Sequence, residues 1–120
     1  MAKLTQDRDT RLREGVQFAF EAAEQIFCGA MVALNADGKL VGATADGNPA
    51  VGRAEVAGKA GDRIAVRRGV FNFENEGLTL ADIGRQCAVV DDQTVGKKAD
   101  SGAIAGILLD IDEAGAWVKI

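Results

Sequence analysis

Alternation of apolar and polar residues predicts short β-strands along most of the chain. Residues 31–34 and 39–41 flank Asn35-Ala36-Asp37-Gly38, whose Asp-Gly pair supplies the positive φ angles of a tight hairpin turn. Turn-forming residues recur about every ten positions, which is typical of a β-sandwich or β-barrel. We therefore expect an all-β fold, a small antiparallel β-barrel or sandwich with one short helical turn and an extended N-terminal arm.

The remaining elements follow from the same pattern. Thr79 to Gly84 has the shape of a capping box with a terminal glycine, and predicts the single helical turn. Turns are predicted at residues 46–49, 58–62 and 112–115, and further strands at residues 51–56, 87–90, 104–111 and 116–120.

The apolar alternation changes phase near residue 69. Ile64 and Val66 share one face, but the next large apolar residues are Phe71 and Phe73. Because side chains alternate strictly along a strand, this slip predicts a β-bulge at Arg68-Gly69.

The first 28 residues are less regular. Residues 1–14 are nearly all polar apart from Leu4 and Leu12, and predict a flexible arm that precedes a single domain of residues 15–120. Residues 15–28 fit both a strand and a helix, since their apolar residues match both periods. Gly15 and the turn-rich sequence that follows favour the strand slightly.

Composition narrows the classes of function. With 120 residues, 48% of them apolar and 27% charged, the chain suits one globular domain. A net charge of −4 argues against nucleic-acid binding. No apolar run approaches the roughly 20 residues that span a bilayer, and the N-terminus has no signal-peptide core, so we expect a cytosolic origin and no membrane association.

The chain contains no histidine and no tyrosine, which removes the commonest acid–base catalyst and metal ligand. Triads that need a histidine and most zinc sites are thereby excluded, so only carboxylate, lysine or backbone chemistry remains. We expect no enzymatic activity, and therefore no small-molecule substrate, and no metal. Cys28 and Cys87 lie in apolar stretches far apart, and are interpreted as buried free thiols.

Two groups of residues resemble catalytic or binding motifs only in part. Residues 47–54 have two glycines like a phosphate-binding loop, but Arg53-Ala54 replaces the required Lys-Ser/Thr. Asp91-Asp92 and residues 110–113 are the only carboxylate clusters, and they lack calcium-loop spacing. We interpret them as turn residues that accept hydrogen bonds from nearby amides.

Other residues are candidates for contacts with a partner. Arg67 and Arg68 are either solvated or bind an acidic surface, and the same holds for Lys97-Lys98 in a polar loop. Residues 104–109 are apolar on both faces, which indicates a central strand or one that another chain covers. Trp117, the only tryptophan, is either a core anchor or a contact residue.

Several stretches, in this order and spacing, carry a resemblance to a known family. They are Ile26 to Gly38, Val51-Gly52-Arg53-Ala54, Gly69-Val70-Phe71, Ile83 to Val95, Ala105 to Asp112 and Gly115 to Ile120. With them the chain resembles the capsid decoration (cement) proteins of tailed bacteriophages, formerly a family of unknown function. The resemblance runs from about residue 15 to the end, and the segment 83–95 is its most specific part.

The resemblance implies a small β-rich fold without a cofactor, clustered as trimers on the outside of a capsid. It implies the major capsid protein and further copies of this chain as partners, a location on the virion, and synthesis in the host bacterial cytoplasm. It also implies that residues 15–28 form a strand. From the residues themselves, Arg67, Arg68 and Trp117 are expected contact residues. The arm lies outside the resemblance, and by a separate hypothesis its residues Leu4, Arg8, Arg11 and Leu12 lie along the capsid surface.

Two other classes of function remain open from the sequence. One is a different virion module, such as a tail or head-completion β-barrel. The other is a small hydrolase that depends on carboxylates, although no segment gathers the convergent polar residues that such chemistry needs.

Overall fold

In the part of the chain that the structure describes, the fold consists of ten short strands and one 3-10 turn. The computed structural model describes Lys3, residues 5–8 and residues 16–120. The 3-10 turn spans Leu80–Asp82. The strands are β1 (Gln17–Glu21), β2 (Met31–Leu34), β3 (Leu40–Gly42), β4 (Ala50–Ala54), β5 (Arg63–Arg67), β6 (Val70–Glu76), β7 (Gln86–Asp91), β8 (Thr94–Lys97), β9 (Ile104–Asp112) and β10 (Gly115–Lys119).

The first five strands form one antiparallel sheet in the order β1-β5-β4-β2-β3. The sheet curls, because Ala22 at the end of β1 forms a parallel bridge to Leu40 on the far strand. The concave face of this curled sheet encloses one hydrophobic core, built from Ala22, Ile26, Val32, Leu40, Ala54, Ile64 and Val66.

The last five strands close into a barrel in the order β10-β6-β8-β7-β9. All its pairs are antiparallel except β6 and β8, which run parallel. Closure leaves this barrel no free sheet edge. Its interior holds a second core that includes Phe73, Cys87, Val95, Leu108 and Val118.

The curled sheet packs its convex face against the barrel. Met31 and Ala33 of β2, and Ala43 directly after β3, lie in the same hydrophobic core as the interior residues of the barrel. Backbone hydrogen bonds join the units: the Met31 N–H donates to the Asp92 carbonyl at 2.8 Å, and the Ala103 N–H to the Ala45 carbonyl at 2.9 Å. Buried apolar surface and backbone bonds therefore fix the sheet on the barrel.

Most of the predicted elements are confirmed. The fold is all-β, and within the predicted strand 15–28 residues 17–21 form a strand rather than a helix. Residues 22–28 do not continue it, because they form bends, two isolated bridges and the start of a turn. The predicted hairpin joins β2 and β3, with Gly38 at a φ of 76°. The predicted helical turn is the 3-10 turn, where the Thr79 N–H donates to the Asp82 carboxylate at 2.9 Å. That bond lowers the pKa of Asp82.

Three predictions need correction. The phase slip at Arg68-Gly69 is real, but its cause is a change of sheet: β5 ends the curled sheet at Arg67 and β6 enters the barrel at Val70. Lys97 belongs to strand β8 and not to a polar loop. Both cysteines are free as predicted, but only Cys87 is buried, because Cys28 lies in an exposed turn.

Candidate interaction surface

Three apolar side chains line the concave side of strand β1. Phe18 and Phe20 pair with Val66 and Ile64, whose side chains fill the core of the curled sheet. Side chains two apart share a face, so Val16 belongs to the same row. Burial declines along this row, because Phe20 packs against the core whereas Val16 is 48% exposed. The three side chains therefore form a continuous apolar row that begins at the core and ends in solvent at Val16.

Phe18 and Phe20 form one wall of a cleft of about 350 Å³. Ala50 and Val51 at the start of β4 form the opposite wall, and Arg68 stands at its rim. The strands separate here because β4 and β5 pair only at Arg53–Arg67 and Ala54–Val66. The cleft is therefore the open end of the curled sheet, apolar inside and cationic at its mouth.

Arg68 also borders a second depression of about 360 Å³, together with Val16, Gly69, Lys119 and Ile120. Within the described part of the chain, Arg68 makes no ion pair. One arginine thus connects two apolar depressions, and Lys119 adds a second positive charge. We call these two depressions, together with their lining residues, the Arg68 groove.

The structure separates Arg67 from Arg68. Arg67 pairs with Gln17 and Arg53 and is exposed on the convex face, whereas Arg68 lies at the cleft on the concave side. Of the two arginines, the geometry thus assigns only Arg68 to the groove.

Trp117 lies on the outer face of the barrel, since its neighbours Ala116 and Val118 are buried. It is half-buried, and its indole N–H donates to the Asp112 carboxylate at 2.9 Å. It is therefore not a core anchor. Lys119 lies two positions along the same strand and borders the groove, so Trp117 shares its face.

The predicted contacts of the arm are mostly outside the described residues. Leu4, Arg11 and Leu12 fall there, and Arg8 is exposed. The arm joins the described domain at Val16, which borders the groove.

Sequence reasoning missed Phe18, Phe20 and Lys119 as residues of this surface. The strand period of Val16, Phe18 and Phe20 was visible, but only the fold shows that their shared face opens to solvent. It also missed two exposed apolar side chains on turns, Phe27 (63% exposed) and Leu80 (71%).

One residue of each carboxylate cluster, Asp91 and Asp112, accepts a hydrogen bond from a turn amide, as predicted. The Gln93 N–H donates to Asp91 at 2.9 Å, and the Ala114 N–H to Asp112 at 2.8 Å. Among the described residues, no group of three or more Cys, Asp or Glu side chains could hold a metal ion. Residues 50–54 form strand β4 where a phosphate-binding loop would need a helix.

No protein-family model and no curated protein matches this sequence. Within the described residues, no helix is long and apolar enough to cross a membrane.

Proposed function

We propose that this protein is a head decoration (cement) protein of a tailed bacteriophage, which binds the outside of the assembled capsid and stabilises it without catalysis. The observation that carries the proposal is the Arg68 groove, an open apolar surface with two cations at its rim. A surface of this kind suits the burial of a partner's apolar and acidic side chains. The resemblance in sequence supplies the identity of that partner, the major capsid protein.

Stabilisation by a cement protein follows from linkage. A protein that binds the assembled shell but not its separated subunits adds RT ln(1 + [L]/Kd) per site to the stability of the shell. At a free concentration 100 times Kd this term is about 2.7 kcal/mol per site. Repeated at every site of a lattice, such a term opposes subunit separation under internal pressure. Clustering as trimers, which the family resemblance implies, would let each cluster bridge several capsid subunits.

Co-sedimentation with heads of the phage that encodes the protein tests the proposal. Purified protein is mixed with heads before and after their expansion, and bound copies are counted. We expect saturable binding of hundreds of copies that prefers the expanded heads. Failure to bind either form would refute the proposal.

Copy number also separates decoration from a different virion module. A tail or head-completion protein occupies few positions per particle, so saturation at a few copies would assign the chain to that class. A hydrolase would instead lose a measurable activity on single substitution of Asp91, Asp92, Asp110 or Asp112 without unfolding.

A further inference from the structure

Strand β1 has one paired edge and one outer edge. The Arg68 N–H donates to the Val16 carbonyl, and the Ala22 N–H to the Asp62 carbonyl. In an antiparallel pair these bonded positions alternate, so the even-numbered residues of β1 point their backbone groups toward β5. The backbone N–H and C=O groups of Gln17, Ala19 and Glu21 therefore point away from β5, toward the outer edge of β1.

Among the described residues, only part of this outer edge has a partner. The Ala23 N–H donates to the Leu40 carbonyl at 2.8 Å, and Lys39 forms an ion pair with Glu21 at 2.9 Å, so β3 closes the edge at one end. At the other end of the edge, the chain beside β1 is no longer β3 but the turn at Asn35–Gly38 that precedes it. Within the described residues, nothing pairs with the outer edge at Gln17 and Ala19.

The edge at Gln17 and Ala19, which no other described residue pairs with, lies on the same strand as Phe18 and Phe20 of the Arg68 groove. A strand added at Gln17 and Ala19 would place every second side chain on the concave face, beside Phe18 and Phe20. Edge strands accept such additions: the backbone gives affinity, and adjacent pockets select alternate side chains. Arg68 lies at the Val16 end of the groove, where it would meet a second side chain on the same face.

We propose that an extended segment of the capsid protein binds as an additional strand on the outer edge of β1. The segment carries an apolar residue and, two positions away, an acidic one. The apolar side chain packs in the cleft between Phe20 and Val51, and the carboxylate pairs with Arg68. This inference rests on the proposed function, and it specifies the chemistry of the partner.

Amide hydrogen exchange on the wild-type protein is the first test. Free protein and head-bound protein are exchanged, the protein is released from the heads, and each amide is measured by NMR. We expect the amides of Gln17 and Ala19 to exchange fast in the free protein and at least about tenfold more slowly when bound, since bonded strand amides open rarely. Slow exchange already in the free protein would show that the chain covers its own edge, and would overturn the inference.

Substitution of Ala19 supplies the second test. Ala19→Pro removes an outward N–H and leaves every bond between β1 and β5 in place, whereas the control Ala19→Ser keeps the donor. We expect binding to the heads to weaken at least about tenfold for the proline variant only. If the proline variant does not fold, the exchange measurement on wild-type protein decides alone.

A charge reversal tests the chemistry of the partner. Arg68→Glu should weaken binding about tenfold or more, because it opposes the acidic side chain. Arg63→Glu is the matched control, since Arg63 is exposed at the other end of β5, the strand that Arg68 follows, and lies on the convex face with Arg67.

The outcomes separate the two proposals. Wild-type protein that binds heads without protection of the Gln17 and Ala19 amides overturns the added strand and leaves decoration standing. Equal losses for Arg68→Glu and Arg63→Glu overturn the acidic partner residue. Absence of wild-type binding overturns decoration, and this inference with it.

Discussion

The guanidinium carbon of Arg53 lies 4.4 Å from the centre of the Phe71 ring. Arg53 belongs to the curled sheet and Phe71 to the barrel, so this contact spans the junction of the two units. Arg53 also forms an ion pair with Glu55, and its buried Nε has no hydrogen-bond partner among the described residues. The aromatic face thus supplies favourable electrostatics to a partly buried cation.

We expect this cation–π contact to couple the two residues by about 0.5–1 kcal/mol. A double-mutant cycle measures the coupling. It compares the free energies of unfolding in urea of the wild-type protein, Arg53→Met, Phe71→Leu and the double variant. Both substitutions keep most of the apolar volume, which limits effects of cavity formation. Strictly additive losses would show that the contact contributes no interaction energy.

Gly106 on β9 should tolerate no side chain. A Cβ there would lie 2.2 Å from the Lys119 carbonyl oxygen on the neighbouring strand. We expect Gly106→Ala to cost about 3 kcal/mol or more, measured by urea unfolding. Gly77→Ala is the control, because Gly77 has open space around it and a φ of 83°, so only backbone strain of about 1–2 kcal/mol applies. Equal losses for both variants would contradict the steric explanation.

The two cysteines should differ in reactivity. Burial raises the pKa of the Cys87 thiol from its ordinary 9.0 to about 11, whereas Cys28 is exposed. At neutral pH we expect a disulfide reagent to modify one thiol of the native protein, and none in Cys28→Ser. Rapid labelling of folded Cys28→Ser would contradict the burial of Cys87.

The raised pKa of the Cys87 thiol predicts that the protein loses stability at alkaline pH. The unfolded chain releases the Cys87 proton near pH 9.0 and the folded chain only near pH 11. The contribution of this thiol is therefore complete below pH 9 and declines as pH rises to 11, by at most about 3 kcal/mol. Urea unfolding measures the free energy of unfolding across this pH range. In Cys87→Ala this free energy should fall less with pH than in the wild-type protein, by the contribution of the thiol. An identical pH dependence in both proteins would exclude the thiol as its source.

Trp117 should report binding to the capsid. It is the only tryptophan and is half-buried. It lies on the same face of β10 as Lys119, which borders the Arg68 groove. If the partner covers this face, the emission of Trp117 should shift to shorter wavelength on binding, and acrylamide should quench it less. Trp117→Phe supplies the background from the capsid proteins. Unchanged emission at saturation would place Trp117 outside the contact.

Deletion of residues 1–14 should weaken binding to the capsid. We expect Leu4, Arg8, Arg11 and Leu12 to lie along the capsid surface, and to bury area there at an entropic cost. Binding curves of the deletion variant and of the full chain to expanded heads measure the difference. Unchanged affinity would remove the arm from the contact.

Local patterns in the sequence were sufficient to predict most of the strands and turns of the fold. The hairpin at Gly38 and the turn capped by Thr79 depend on neighbouring residues alone, so the sequence predicts them. The change of sheet at Arg68-Gly69 could not be predicted, because alternation records which face is buried but not which sheet buries it. The parallel pairing of β6 with β8 depends in the same way on contacts distant in sequence.

The candidate surface was predictable only at Arg68. A pair of adjacent arginines marked this position, but only the curled sheet places Arg68 between two depressions and Arg67 on the opposite face. Phe18 and Phe20 have the sequence pattern of core residues, and they are only partly buried because β4 and β5 separate beside them. Cys28 was misassigned for a similar reason, since its apolar neighbours lie on a turn.

The two units occupy consecutive halves of the chain, β1 to β5 and then β6 to β10. During translation, every strand of the curled sheet is made before the first strand of the barrel. Met31, Ala33 and Ala43 then have no barrel core to enter until the final strands emerge. A nascent chain that formed this sheet first would expose an apolar face at these residues, and the second half of the chain covers that face in the finished fold.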